Sequence, residues 1–235
     1  MYKAILFDLD GTLLHLDQNE LLLAYFKLII TEMAKIGSDI DTLKKANKAG
    51  IHAMIDNNGK YPSNSLAYWN AFENTVELDP IPFKELTDKF YRGDYVKIKP
   101  LTRVNPNARR AVDAARQKAE KVVLATNPMF PRVAQLERLS WAGFSESDFD
   151  LITDYDSDRF CKPNVEYYLD ICERIGVAPA DCLMVGNDTR EDTFCGKLAG
   201  LDTFLVTDCL IEREGEVWDG KRGSFSELAD FIESL

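Results

Sequence analysis

Asp8 and Asp10 stand one residue apart at the end of an apolar run, in Lys3-Ala4-Ile5-Leu6-Phe7-Asp8-Leu9-Asp10-Gly11-Thr12-Leu13-Leu14. Residues two apart in an extended chain point the same way, so both carboxylates share one space where the run ends. At about 4 Å two such charges repel by roughly 4 kcal/mol at an effective dielectric near 20. A metal ion, a basic side chain or a proton must offset that repulsion. A surface turn uses the same residue types, since Asp and Gly favour turns. The four apolar residues before the pair and the Thr-Leu-Leu after it argue instead for a buried strand with a polar exit. Gly11 permits the sharp turn there.

Three further groups of polar residues fall at comparable places. Thr126-Asn127 closes the apolar run 121–127, Lys162-Pro163 precedes a helical stretch, and Gly186-Asn187-Asp188-x-x-x-Asp192 follows Cys182-Leu183-Met184-Val185. Each alone is ordinary. A threonine ends many strands, Lys-Pro is a common loop pair, and aspartates suit a helix N-terminus through the dipole.

The elements that must position these groups follow from periodicity. Apolar residues recur at helical spacing over 18–36, with Gly37 and Ser38 as the stop, and further helices are predicted over 39–56, 64–76 and 83–95. Residues 16–97 therefore read as all-helical. Beyond them strands and helices alternate: helices over 106–118, 130–142, 164–175, 190–199 and 226–235, and strands over 121–127, 151–154, 182–188 and 203–207. Ser224 or Ser226 caps the last helix. This alternation predicts right-handed crossovers and a parallel, doubly wound sheet. Ligands of such sheets bind beyond the carboxyl ends of the strands, where the polar exits converge.

In this order the four groups resemble the signature motifs of the haloacid dehalogenase-like (HAD) superfamily of aspartate-nucleophile phosphohydrolases, the first in Phe7-Asp8-Leu9-Asp10-Gly11-Thr12-Leu13. The resemblance covers about two thirds of the chain. It implies an α/β fold: a Rossmann-like parallel sheet core with helices on both faces (1–15 and 98–235), and an all-helical cap domain (16–97) inserted after the first strand. It implies a phosphatase acting on a small phosphorylated metabolite through an aspartyl-phosphate, a device that splits one difficult step into two. Carried over to this chain, Asp8 is the nucleophile and Asp10 the general acid and then base. Thr126 and the Asn127 N–H hold phosphoryl oxygens, and Lys162 balances the charge of Asp8 and the phosphoryl group. Mg²⁺ is the implied cofactor, held by the side chains of Asp8 and Asp188 and the carbonyl of Asp10. Asp192 holds Lys162 or stands behind the metal. Asn187 interrupts the more usual Gly-Asp pair and leaves its own contact with the metal's waters open. A phosphomutase or a phosphonate hydrolase would share this machinery, the latter wanting a cap lysine that has no assignable counterpart here. A haloacid dehalogenase needs neither Asp10 as acid nor Asp188 as metal ligand. A non-catalytic binding protein on the same fold would be favoured by loss of Asp8 or Lys162, and both are intact.

Composition narrows the remainder. The 235 residues carry a net charge of −11 and are 46% hydrophobic. The negative charge argues against nucleic acid as a partner, and no run approaches the ~20 apolar residues of a membrane span. Asp8 and Asp10 interrupt any leader-like apolar run, so a soluble, cytoplasmic protein is expected. Five dispersed cysteines without a C-x-x-C pair read as reduced and buried. His15 reads as a hinge or surface residue, Tyr68, Trp69 and His52 as packing residues, and Arg190 as a local ion-pair partner of Asp188. Oligomeric state leaves no mark in the sequence.

Overall fold

The computed structural model describes all 235 residues. A six-stranded sheet forms its centre: β1 (Ala4–Phe7), β4 (Lys121–Leu124), β5 (Leu151–Ile152), β6 (Cys182–Gly186), β7 (Asp202–Val206) and β8 (Arg222–Gly223). The strand order is β5-β4-β1-β6-β7-β8, and every pair is parallel. The most apolar strand is thus the central one. Ala4 lies opposite both Lys121 and Cys182, and Phe7 opposite both Leu124 and Val185.

The period-two alternation of the strands divides the interior. Ile5, Phe7, Val122, Leu124, Leu183 and Val185 face one side, and Ala4, Leu6, Val123, Cys182 and Met184 the other. The first face is covered by α5 (Ala108–Lys118), α6 (Arg132–Trp141) and α9 (Phe225–Glu233), the second by α7 (Val165–Ile175) and α8 (Cys195–Leu198). Of the two candidate caps of α9, Ser224 is used, in a reciprocal capping box with Glu227, a device worth about 1 kcal/mol.

Between β2 (Leu14–Leu16) and β3 (Thr102–Val104) the chain is helical: α1 (Gln18–Met33), α2 (Ile40–Ile55), α3 (Asn64–Val76), α4 (Ile81–Arg92) and a 3₁₀ run over Asp94–Leu101. The first predicted helix tightens into a 3₁₀ turn, Ala34–Ile36, and stops at Gly37, whose φ of 106° suits glycine. β2 and β3 pair antiparallel and join this helical insert to the sheet. Three-residue strands are too short to show a period, so the ribbon was not anticipated. A second attachment lies at the start of α3, where the Asn64 and Ser65 N–H groups donate to the carbonyls of Asp158 and Tyr155 at 2.7 and 2.8 Å.

One element corrects the sequence reading. The helix expected over 190–199 is a wide π-helical turn over Thr189–Phe194, followed by the short α8. Asp192 folds back within that turn, as described below. Four of the five cysteines are buried and none forms a disulfide. No helix is long and apolar enough to cross a membrane.

Candidate active site

The carboxyl ends of β1, β4 and β6 bring the sequence motifs to one cavity of about 340 Å³ between the sheet and the helical insert. Asp8, Asp10, Thr126, Asn127, Asn187, Asp188 and Asp192 all line it. Lys162, only 1% exposed, stands behind them and reaches Asp8 Oδ1 at 3.0 Å and Asp192 Oδ1 at 2.6 Å. Asp192 thus holds the lysine, one of the two places the family resemblance leaves open for it. Its other oxygen accepts the Asp188 N–H at 3.0 Å, which ties the wide turn to the strand end. Gly186 makes room for this: a Cβ there would lie 2.1 Å from Asp192 Oδ2.

Asp8 continues the sheet, its N–H donating to Val185 O at 2.9 Å. Gly11 turns the chain with a φ of 83°, and a Cβ at that position would meet Asn187 Nδ2 at 2.2 Å. Thr12 Oγ1 then lies 3.3 Å from Asp8 Oδ2 and 3.1 Å from Asn187 Oδ1. Asn187 also donates to the Cys209 carbonyl at 2.6 Å. Both ends of its amide are therefore engaged with the protein, locking the first motif to the last.

Asp10 is answered by a residue the motifs do not contain. Arg138 of α6 donates to Asp10 Oδ2 at 2.6 Å while 1% exposed, stacks 4.3 Å from the centre of the Phe130 ring and bonds Gln135. The sequence carried a signal for it. Arg138 falls with Ala134 and Trp141 on the buried face of α6, and a charge on an apolar face requires a partner. Asp10 Oδ1 is buried with no protein partner.

Burial pushes Asp8 upward from the usual carboxylate range and Asp10 adds to this, while Lys162 pulls it back. Burial also raises Asp10, against the pull of Arg138 and Lys162. Burial alone would lower Lys162, but Asp192 and Asp8 hold it well above the usual lysine value. Glu191, hydrogen-bonded to Asn127 Nδ2 at 2.9 Å, is pushed up to about 7 by burial and by Asp188. Thr126 is fixed through its carbonyl, which accepts from Thr153 Oγ1 at 2.6 Å and Tyr167 OH at 2.9 Å.

Asp188 Oδ1 accepts the N–H groups of Arg190 and Glu191 and, at 2.7 Å, the guanidinium of Arg213. Arg213 comes from a loop whose sequence gives no sign of this. The ion pair expected between Arg190 and Asp188 is not formed: the Arg190 guanidinium turns to Glu216, with Nε 2.6 Å from Oε1. All three bonds fall on one oxygen of Asp188, leaving the other for a cation. No three acidic, imidazole or thiol side chains close into a metal cage. Two carboxylates, a main-chain carbonyl and water are donors that Mg²⁺ accepts, so Asp8, Asp188 and the Asp10 carbonyl could hold it.

His15 sits in β2 opposite Arg103, half-buried and 3.8 Å from Asp208, at the junction of insert and core. Tyr68 and Trp69 pack in the insert and also line the cavity. His52 is exposed and packs against neither core, because it lies on the outer face of α2.

A family model for haloacid dehalogenase-like hydrolases matches residues 2–200, and the chain belongs to that family; it is a hydrolase. It is 27% identical over 212 residues to a phosphoglycolate phosphatase of Nitrosospira multiformis, covering 87% of this chain and 82% of that one. It is 26% identical over 216 residues to a glyceraldehyde 3-phosphate phosphatase of Methanothermobacter thermautotrophicus, covering 91% and 89%. Among solved structures, the HAD-hydrolase YfnB of Bacillus subtilis bound to magnesium superimposes with a TM-score of 0.60 at 21% identity, covering 100% of this chain and 99% of that one. At that identity the likeness establishes the fold.

Proposed function

We propose that the chain is a Mg²⁺-dependent phosphatase that hydrolyses a small phosphorylated metabolite through an aspartyl-phosphate on Asp8, with residues 16–97 acting as a cap over the site. The observation that carries this reading is the carboxylate pair Asp8 and Asp10, each with its own buried cation, Lys162 and Arg138, on the wall of one cavity. A carboxylate oxygen of Asp8 attacks phosphorus while the bond from phosphorus to the ester oxygen breaks. Asp10 gives its proton to the departing alcohol oxygen. In the second half Asp10 takes a proton from water as the water oxygen attacks phosphorus. The bond from phosphorus to Asp8 then breaks and orthophosphate is released.

The buried Asp10 Oδ1 supports the acid and base role, since a carboxyl oxygen with no protein partner is free to carry the proton that role needs. Arg138 keeps Asp10 in place without touching the substrate. Thr126 and the Asn127 N–H hold phosphoryl oxygens, and Lys162, kept charged by Asp192, balances Asp8 before and after transfer. Asp8, Asp188 and the Asp10 carbonyl would hold Mg²⁺, which would supply positive charge for the phosphoryl oxygens. Two things support the metal: the free oxygen of Asp188 and the magnesium bound by YfnB, which shares the fold. A dehalogenase has no use for Asp10 with its own arginine.

The test is phosphate release from a panel of phosphomonoesters by wild type and Asp8→Asn, with Mg²⁺ and with chelator. Release that needs Mg²⁺ and disappears in Asp8→Asn is expected. Release that persists in Asp8→Asn, or none from any ester by folded, Mg²⁺-loaded protein, would overturn the reading.

A further inference from the structure

We infer that the site takes a phosphomonoester whose leaving group is an uncharged, mostly apolar alcohol. The inference rests on the phosphatase reading above and names the substrate class for it. The insert's side of the cavity is built from Leu22, Phe26 and Ile29 of α1, Met54 of α2 and Trp69 of α3, together with tyrosines. The polar tips of that wall are already engaged. The Tyr25 and Tyr91 hydroxyls bond each other at 2.6 Å, Tyr68 donates to Asn47 Oδ1 at 2.7 Å, and the Thr87 hydroxyl donates to the Lys84 carbonyl at 2.9 Å. Gln18, the amide N–H₂ of Asn47 and the unused hydrogen of the Tyr25–Tyr91 pair are left on the insert's wall, and the Tyr155 hydroxyl on the core side, to meet a polar group of the substrate.

Charge points the same way. Every charged residue lining the cavity is acidic: Asp8, Asp10, Asp188, Glu191 and Asp192. The two cations of the site, Lys162 and Arg138, stand behind carboxylates. A second carboxylate on the substrate would lose its water and find no cation on the insert's wall. A sugar would lose the water bonds of all its hydroxyls and find polar partners at only a few points of a mostly apolar wall. An apolar alcohol loses nothing and gains contact area. The volume of about 340 Å³ lies at the small end of ligand cavities, which suits a single ring or a short branched chain.

The experiment compares kcat/KM for 2-phenylethyl phosphate, phosphoglycolate and glucose 6-phosphate, all esters of alkyl alcohols, so that leaving-group chemistry does not decide the ranking. 2-Phenylethyl phosphate is expected to lead by roughly a hundredfold, the discrimination a hydrophobic pocket supplies. Leu22→Arg, which places a cation on the half-buried wall of α1, is expected to shrink that lead by tenfold or more. Calorimetry on the wild type with 3-phenylpropylphosphonate and phosphonoacetate reads the cavity without turnover, and tighter binding of the phenylpropyl compound is expected. A wild type that prefers phosphoglycolate or glucose 6-phosphate overturns the inference and leaves the phosphatase standing. If no ester is hydrolysed the phosphatase reading fails, and the calorimetry decides alone. Weaker or absent binding of 3-phenylpropylphosphonate then overturns the apolar cavity.

Discussion

Asp8 and Asp10 carry like charges two residues apart, and the fold answers each with a different cation. Lys162 lies 3.0 Å from Asp8, and Arg138 lies 2.6 Å from Asp10. Both cations are buried and each holds further partners, so removing one leaves an uncompensated charge out of water. Arg138→Met is expected to lower the unfolding free energy by about 3–5 kcal/mol, measured by urea titration. Adding Asp10→Asn to that variant should recover part of the loss, a coupling a double-mutant cycle reads directly; additive losses would mean the pair does not act as a unit. Asp8→Asn should behave in the opposite way. It keeps the shape and relieves the repulsion with Asp10, so the thermal midpoint holds or rises while phosphate release falls by a factor on the order of 10⁴ or more.

Elements supply the spacing these residues cannot supply themselves. Parallel pairing of β1 with β4 and β6 puts Phe7 level with Leu124 and Val185, so Asp8 and the residues ending the other two strands emerge together. The wide turn after β6 lets Asp188 and Asp192 serve different partners within five residues. At the other end of the site, β2 and β3 carry the insert. His15 in β2 is depressed from its ordinary value near 6.5 by burial, with Asp208 opposing and Arg103 adding to the effect. The unfolded chain therefore takes up the proton more readily than the native one. The stability His15 contributes is fully present above that ordinary value and is lost as pH falls through the folded value. Relative to His15→Gln, wild type should therefore be less stable at about pH 5 than at about pH 8, a comparison that cancels the buried carboxylates common to both proteins; a stability difference between the two proteins that is the same at both pH values, measured by urea titration, would refute this. Asn64 tests the other attachment. It is fully buried, and its amide donates to the Pro128 carbonyl at 3.3 Å and accepts from Asn57 at 3.2 Å. Asn64→Ala strands those partners and should lower stability by about 1–3 kcal/mol while raising KM more than it lowers kcat, since it loosens the insert and not the carboxylates.

Across the whole molecule, insert and core share one hydrophobic cluster that runs from Phe7 and Leu124 to Tyr25, Phe72 and Tyr95. A ligand in the cavity touches both parts and so is linked to the stability of both. Saturating Mg²⁺ with fluoroberyllate, a phosphoryl mimic, should raise the unfolding free energy by about 2.7 kcal/mol at a hundred times the dissociation constant. Asp8→Asn should show little of this gain, and an equal gain in that variant would argue that the mimic does not bind at Asp8.

The sequence by itself determined much of this protein. The apolar runs fixed the central strands, periodicity fixed the helices, and the order of Asp8-x-Asp10, Thr126-Asn127, Lys162 and Asp188-x-x-x-Asp192 marked one strand edge. These are local patterns, because strand and helix periods and strand-end polarity are written in neighbouring residues. The tertiary structure decided what was not local. It chose Arg138 for Asp10 and Arg213 for Asp188, sent Arg190 to Glu216 and widened the turn after β6. It also turned the aromatic and aliphatic faces of α1 to α4 into a wall whose hydroxyls bond partners within the insert. Each of those outcomes depends on which distant groups come within a few ångströms, a matter of packing that no sequence period encodes.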